Sequence, residues 1–149
     1  MRQRIQAIAI PSDNIDDFAD DIRAVFQALG RAFSAESLAG ECSPPLDVYE
    51  TDDTLEVVTD LPGVSPTSVH IIAKGDALLI AGDKTPRRVR GESTFRLVER
   101  GYGRFARVVR VGRACDMSGA RATMVHGELR VTIPKVDDRR SRRIPIPIT

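Results

Sequence analysis

Few side chains in this sequence could perform catalytic or metal chemistry. It contains two histidines, His70 and His126, and two cysteines, Cys42 and Cys115. A thiol beside an imidazole can act as an activated nucleophile, so Cys115 and His126 form one conceivable catalytic pair. No third group that would orient the imidazole is evident. The ligand spacings of zinc sites and the glycine-rich loop that holds phosphate are missing from the sequence. We predict no catalytic residues, no cofactor and no metal, and an enzyme that uses Cys115 or His126 stays an alternative.

The composition indicates a folded protein with one domain and extensions. The chain has 149 residues, of which 42% are hydrophobic and 29% charged. No apolar run reaches the roughly 20 residues that cross a membrane. The first residues lack the apolar core and small-residue cleavage site of a signal peptide. Two cysteines far apart in sequence do not suggest a disulfide framework. We therefore expect a cytoplasmic protein that does not bind membranes.

The charge is distributed unevenly along the chain. Residues 1–60 hold 13 acidic and 4 basic side chains, whereas residues 61–149 hold 8 acidic and 18 basic ones. Opposite charges of this kind can bring together two halves of one chain or two subunits, or they can simply be solvated. The basic stretch 84–91 lacks an aromatic platform for stacking bases, so we expect a solvated loop and no nucleic-acid partner.

Alternating apolar and polar residues predict several short strands. The alternation is clearest from Phe105 to Val111 and from Leu129 to Ile133, and Pro134 ends the second run. Between them, His126-Gly127 suits a tight hairpin turn. Similar short runs occur at 46–48, 55–59, 69–73, 77–82, 93–99 and 122–125. Closely spaced strands without intervening helical patterns predict an antiparallel sandwich.

One helix is predicted before the strands, at about residues 13–32. Its apolar positions are spaced by three and four, as on one face of a helix. They are Ile15, Phe18, Ile22, Val25, Phe26, Leu29 and Phe33. Two interpretations remain open: this face packs against the protein's own core, or it joins subunits and contacts unfolded proteins. Residues 34–44 form a linker by composition.

The chain ends with an unusual apolar motif, Ile144-Pro145-Ile146-Pro147-Ile148. Alternating prolines fix an extended backbone, so the isoleucines project on one side, roughly 7 Å apart. So short a tail cannot bury them itself. Two apolar knobs at this spacing fit two holes along the edge of a sheet.

These motifs together resemble one family. Gly103–Arg107, Ala122 and Gly127–Pro134 are similar to the signature half of the alpha-crystallin domain, which defines the small heat-shock proteins. Asp60–Gly63 matches the family's D-L-P-G corner, and Leu78, Ile80, Gly82 and Lys84 match its L-x-I-x-G-x-K form. The resemblance runs from about Pro45 to the last residue. His126 replaces the usual Asn, and Val111-Gly112 replaces a common Leu-Pro pair.

The resemblance implies an all-β fold, an immunoglobulin-like antiparallel β-sandwich, with three regions. Residues 1–44 are the helical N-terminal arm, 45–134 the alpha-crystallin domain and 135–149 the extended C-terminal tail. It also implies an ATP-independent chaperone of the stress response, a holdase that binds partly unfolded clients and prevents their aggregation. Its partners are then these clients and copies of itself, in a homo-oligomer built from dimers. The alternative is a co-chaperone or adaptor of the CS type, which binds one specific folded partner as a monomer.

The resemblance assigns roles to particular residues. The oligomerisation tail is Ile144, Pro145, Ile146 and Ile148, with Ile144/Ile146 favoured over Ile146/Ile148 as the docking pair. The groove that receives it on another dimer is lined by Val69, Ile71, Ala73, Ala122 and Met124. In the bacterial branch the strand 93–99 crosses to a neighbouring subunit, which places Phe95, Leu97, Glu99 and Arg107 at the dimer interface. Arg107 is expected in an interface ion pair or, alternatively, as an arginine whose long stem reaches solvent at a sheet edge. The client-binding residues are Phe18, Ile22, Phe26 and Phe33.

Overall fold

The computed structural model describes residues 15–29, 42–85 and 91–136, together with Ile146 and Ile148. The helix predicted at about 13–32 is present as a 3-10 turn, Asp16–Phe18, followed by α1, Ala19–Ala28. Asp16, Asp17, Asp20 and Asp21 stand in the first turns. Negative charge there is favourable because the helix N-terminus carries a partial positive charge. The ends of the predicted range, 13–14 and 30–32, lie outside the described residues.

In the described residues, seven antiparallel strands form two sheets. They are β1 Leu46–Glu50, β2 Thr54–Asp60, β3 Val69–Lys74, β4 Ala77–Lys84, β5 Gly103–Arg110, β6 Arg121–Val125 and β7 Glu128–Pro134. One sheet has the order β1-β2-β7-β6 and the other the order β3-β4-β5. The predicted antiparallel β-sandwich is confirmed.

The alternating sequence of β2 and β7 explains their place in the sandwich. Leu55 and Val57 of β2 and Val131 and Ile133 of β7 are buried, while the residues between them are only half-buried. These side chains meet Leu78, Ile80, Phe105, Val109 and others from the second sheet. The apolar cluster between the two sheets is called the inner core below.

The predicted hairpin turn lies between β6 and β7. His126 has φ 52° and Gly127 has φ 76°, and Val125 pairs with Glu128 across the turn. Positive φ at both central residues matches the right-handed twist of the two strands. The Gly127 carbonyl accepts a 2.6 Å hydrogen bond from the Leu61 N–H, which ties the hairpin to the Asp60–Gly63 corner.

Contacts of the segment before β1 fix how the two sheets are aligned. The Cys42 N–H donates to the Arg104 carbonyl over 3.1 Å, and an Arg107 guanidinium nitrogen donates to the Pro44 carbonyl over 2.5 Å. The β1 edge of one sheet therefore lies beside the β5 edge of the other. The remaining edges, β6 and β3, consequently lie together on the opposite side of the sandwich.

Strand β4 departs from the alternating pattern because both of its faces are covered. Ala77 through Asp83 are all buried. Leu78 and Ile80 face the inner core, whereas Ala77, Leu79 and Ala81 face outward together with Ala106 of β5. Helix α1 packs on this outward face with Phe18, Ile22, Val25 and Phe26, which creates a second apolar cluster, the outer core.

Residues 93–99, predicted as a strand that completes its pairing in a neighbouring subunit, form no strand within the single chain. Residues 91–100 are exposed, and none of them belongs to a strand. A strand needs a neighbouring backbone to complete its hydrogen bonds. The alternating side chains signal strand propensity, and the isolated chain does not supply the partner.

Candidate functional site

The predicted tail groove lies where the two open edges β3 and β6 come together. Val69, Ile71 and Met124 are half-buried and pack against the inner core, while Ala73 and Ala122 are exposed. All five residues are paired with inward-facing positions of β4 or β7, so they point to the same side of their strands. The structure thus brings the predicted residues to one apolar, unpaired edge region. An extended peptide with apolar side chains can bind such an edge.

The tail itself is described only at two positions. Ile146 is 87% exposed and Ile148 fully exposed, so neither occupies a groove of its own chain. Ile144 and Pro145 lie outside the described residues. Two large apolar side chains in water are unfavourable, and burying each would contribute roughly 1.5–3 kcal/mol.

The segment between β4 and β5 carries a second set of exposed apolar residues. Phe95 is 66% exposed and Leu97 74% exposed, and Glu99 beside them is also exposed. Within the described part of the chain, β1 is paired only with β2, so one row of its backbone groups has no described strand beside it. Free strand edges of this kind readily accept a strand from another chain.

Arg107 lies on β5 in phase with the buried Phe105 and Val109, as its position in the alternation predicts. It is half-buried, and its guanidinium donates to the Pro44 carbonyl. Burial lowers the pKa of Arg107 from its usual value because desolvation disfavours the charged form. No carboxylate of the described residues forms an ion pair with it, so the predicted interface ion pair requires a residue from elsewhere.

The apolar stripe of the N-terminal arm is covered, which agrees with the interpretation that this helix face packs against the protein's own core. Phe18, Ile22 and Phe26 are each at most 1% exposed. Phe33 lies outside the described residues. Their periodicity correctly identified one apolar helix face, but periodicity cannot say which surface that face contacts. The face lies on the chain's own outer core, and contact with a client therefore requires α1 to leave it.

Two basic residues hold α1 on the sheet, and sequence reasoning missed both. Lys74 of β3 donates to the Asp21 carboxylate over 2.8 Å and to the Asp17 carbonyl over 3.0 Å, and its nitrogen lies 5.3 Å from the centre of the Phe18 ring. The guanidinium carbon of Arg104 lies 5.2 Å from the centre of the Phe26 ring. Cations over aromatic rings attract the ring electrons. The only sequence feature that hinted at these contacts was the uneven charge, which is acidic in residues 1–60 and basic in residues 61–149.

The outer face of the other sheet is polar. Thr132 donates to Glu56 over 2.9 Å, and Arg130 forms ion pairs with Glu56 at 3.6 Å and with Glu128 at 3.1 Å. Hydrogen bonding to Tyr49 and then to Glu128 raises the pKa of Arg130. This face is compatible with water and needs no cover, in contrast to the apolar face beneath α1.

The candidate catalytic residues do not assemble into a reactive site. Burial raises the pKa of Cys115, Glu50 raises it further and Lys135 partly opposes this, so the thiol form is favoured over the reactive thiolate. The Cys115 thiol donates to the Val111 carbonyl over 3.2 Å. Among the described residues no cluster of three potential metal ligands occurs. The described helices are also too short or too polar to cross a membrane.

Comparison with known proteins shows the family of this chain. Residues 47–149 match the model of the Hsp20/alpha crystallin family. The chain belongs to this family. The fission yeast Schizosaccharomyces pombe has a relative, Heat shock protein 16, that is 34% identical over 109 residues, covering 71% of this chain and 76% of the relative. The resemblance inferred from the motifs is confirmed.

Solved structures of the family share the fold. Heat shock protein 16.0 from S. pombe superposes with a TM-score of 0.62 at 32% identity, over 73% of this chain and all of that one. A small heat-shock protein from the bacterium Xylella fastidiosa gives a TM-score of 0.61 at 28% identity, over 72% of this chain and 99% of its own. Members of this family are chaperones rather than enzymes; they form oligomers and bind unfolded proteins.

Proposed function

We propose that this protein is an ATP-independent holdase that binds partly unfolded clients and prevents their aggregation under stress. The observation that carries the proposal is the family fold with apolar residues left exposed at Phe95 and Leu97 and only half-buried along the β3 and β6 edges. A protein that binds unfolded chains removes them from the aggregating pool by mass action, and this needs no nucleotide.

The building block is a homodimer formed by strand exchange. Residues 93–99 of one subunit add to the free edge of β1 in its partner, where Phe95 and Leu97 become buried and Glu99 and Arg107 lie at the interface. The exposure of the segment, the alternation in its sequence and the open β1 edge support this arrangement. A carboxylate from the partner would compensate the desolvated charge of Arg107.

The tail links dimers into larger assemblies. Ile144 and Ile146 insert between β3 and β6 of another dimer, against Val69, Ile71, Ala73, Ala122 and Met124. The half-buried, apolar edge residues and the full exposure of Ile148 support a tail that binds outside its own chain. One tail contact is weak, but several contacts acting together hold an assembly because each binding event raises the local concentration for the next.

Clients bind the apolar stripe of the N-terminal arm, Phe18, Ile22, Phe26 and Phe33, after α1 leaves the sheet. The groove between β3 and β6 is a second client site whenever the tail vacates it. We place the protein in the cytoplasm, with no nucleic-acid or membrane partner.

Light scattering of a heat-unfolding client protein, without ATP, tests the proposal. We expect strong suppression of scattering at about equal mass of chaperone and client. No suppression at any temperature below the protein's own unfolding would contradict the holdase function and favour a CS-type adaptor that binds one folded partner.

Native mass spectrometry of tail variants tests the assembly. Replacing Ile144 and Ile146 by Gly should leave a folded dimer and abolish larger species. Ile148→Gly is the matched control, because the favoured register leaves Ile148 outside the groove. If Ile148→Gly disrupts the assembly and Ile144→Gly does not, the tail docks through Ile146 and Ile148 instead. Unchanged masses in all variants would contradict docking altogether.

A further inference from the structure

The two sheets differ in what lies on their outer faces. The face of β1, β2 and β7 carries ion pairs among Glu56, Glu128 and Arg130. The face of β3, β4 and β5 instead presents Ile72, Ala77, Leu79, Ala81, Ala106 and Val108 to the outer core. Because half of these residues are alanines, a helix can lie closely upon this surface. Without α1 it would form a contiguous apolar patch, which soluble monomers rarely expose.

The contacts that hold α1 on this face are of two kinds. Phe18, Ile22 and Phe26 supply apolar burial. The ion pair between Lys74 and Asp21 supplies an electrostatic clamp at the start of the helix. The side chains of this pair are 53% and 30% exposed, so solvent screens it. Exposed pairs of this kind contribute little individually, so the clamp adjusts the position of α1 without making its attachment permanent.

We propose that α1 is a releasable cover and that the face beneath it, called the α1 site, is a client-binding surface. Its occupant is an amphipathic client segment with aromatic residues on one side and acidic residues at its N-terminal end. The α1 site specifies this chemistry because a helix of that type already occupies it, with Phe18 and Phe26 on the sheet and Asp21 at Lys74. The inference rests on the proposed holdase function and adds a binding site on the sheet to the stripe on the helix.

Charge complementarity selects the occupant. Lys74 lies near Phe18 at the N-terminal end of the helix, and Arg104 lies against Phe26 near its C-terminal end, so basic residues flank the α1 site at both ends. An acidic segment is attracted there, and a basic segment is repelled. Release of α1 thus uncovers two apolar surfaces at once, one on the helix and one on the sheet.

A labelled peptide tests this directly. The probe is a fluorescent peptide with the sequence of residues 15–29, titrated by anisotropy against the full chain. In the wild type the chain's own α1 competes, and apparent affinity falls by the fraction of chains in which the site is open. Asp21→Lys weakens the cover and leaves the α1 site intact. We expect it to bind the peptide about two- to tenfold more tightly, from the lost ion pair and the new repulsion by Lys74.

Two matched variants control for general charge effects. Glu128→Lys makes the same charge change and breaks an exposed ion pair on the other sheet, so peptide affinity should stay at the wild-type value. Asp21→Lys combined with Lys74→Glu restores an ion pair of opposite sense. This double variant should close the cover again and bind the acidic peptide no better than wild type. A peptide carrying Phe26→Ser should bind none of the variants.

The outcomes separate the possible occupants. Two results together support the proposal. Among the single variants, only Asp21→Lys binds the peptide more tightly, and Asp21→Lys saturated with the peptide no longer suppresses light scattering by the unfolding client. Equal tightening by Glu128→Lys, or none by Asp21→Lys, overturns the cover. If the bound peptide leaves the suppression of client light scattering unchanged, the α1 site is not a client-binding surface. Peptide affinity that falls as chain concentration rises would assign the α1 site to the helix of a second copy. If wild type fails to suppress scattering, the holdase function fails separately, because the peptide titration does not depend on it.

Discussion

Replacing Gly82 by alanine should destabilise the sandwich although the added group is a single methyl. An ideal Cβ at this position would lie 2.3 Å from the Ser68 carbonyl oxygen and 2.8 Å from the Phe105 Cζ atom. Carbon–oxygen contacts are normally 3.3 Å or longer, so the first is about 1 Å too short. Ser68 precedes β3 directly, and Phe105 is buried in the inner core. Neither neighbour can move without displacing other packed atoms.

The size of the effect follows from two opposing contributions. Forcing an extra carbon into a packed core usually destabilises by about 1–3 kcal/mol, and contact with backbone places this site near the upper limit. Replacing Gly by Ala also stabilises by about 0.4–1 kcal/mol, because it restricts the unfolded chain. We expect a net loss of about 2 kcal/mol in the free energy of unfolding. For a domain of the size of residues 45–134, a loss of about 2 kcal/mol should lower the unfolding midpoint by about 8–16 °C.

Urea and thermal unfolding at one fixed chain concentration measure this loss, since assembly makes stability depend on concentration. Gly101→Ala is the matched control, because a Cβ there would meet only Cys42 Cβ at an ordinary 3.7 Å. Its stability should lie within about 0.5 kcal/mol of wild type or slightly above it. Phe105→Leu in the Gly82→Ala background should recover only part of the loss, because the Ser68 carbonyl remains. Equal stability of Gly82→Ala and Gly101→Ala would refute the packing argument.

Three further predictions concern other parts of the molecule. Phe105→Ala should lower the free energy of unfolding by about 3–5 kcal/mol, whereas Phe26→Ala should free α1 and leave the sandwich nearly as stable. Hydrogen exchange of Phe26→Ala should be rapid in α1 alone. Equal loss of protection in α1 and in the sandwich would contradict two separate cores. Arg107→Gly should give a heterogeneous assembly by native mass spectrometry, and a wild-type mass distribution would remove Arg107 from the interface. Hydrogen bonds from the Ser118 side chain and backbone hold the pKa of Asp116 below its usual value. The ionised carboxylate therefore stabilises the folded state above about pH 3.9, and this stabilisation is lost as the pH falls. Ser118→Ala should therefore raise that pKa in an NMR titration, and an unchanged value would refute this cause.

Strands with one buried face were predictable because alternation records which face is covered. The runs in β2, β5 and β7 and the turn at His126-Gly127 all follow from local chemistry. The segment at Phe95 and Leu97 carries the same alternation yet forms no strand, because pairing depends on a backbone that local sequence does not provide.

The covered helix shows a second limit. The spacing of Phe18, Ile22 and Phe26 predicted an amphipathic helix, but the surface on which this helix packs depends on tertiary structure. One signal was available in β4, where both alternate sets of residues from Ala77 to Ala81 are apolar, which indicates burial on both faces. The clamp between Lys74 and Asp21 joins residues far apart in sequence, and no local pattern could have paired them.

Because both faces of β4 are buried in the fold, its apolar sequence favours aggregation of the protein itself when the chain unfolds. In the unfolded chain, residues 77–82 form an uncharged, proline-free and strongly apolar run, a composition that favours aggregation. Charged residues flank it closely, with Lys74 and Asp76 before it and Asp83 and Lys84 after it. Such flanking charges act as gatekeepers that slow the stacking of identical segments. Heated beyond its own unfolding, this chain would therefore become a substrate for the folded copies that remain.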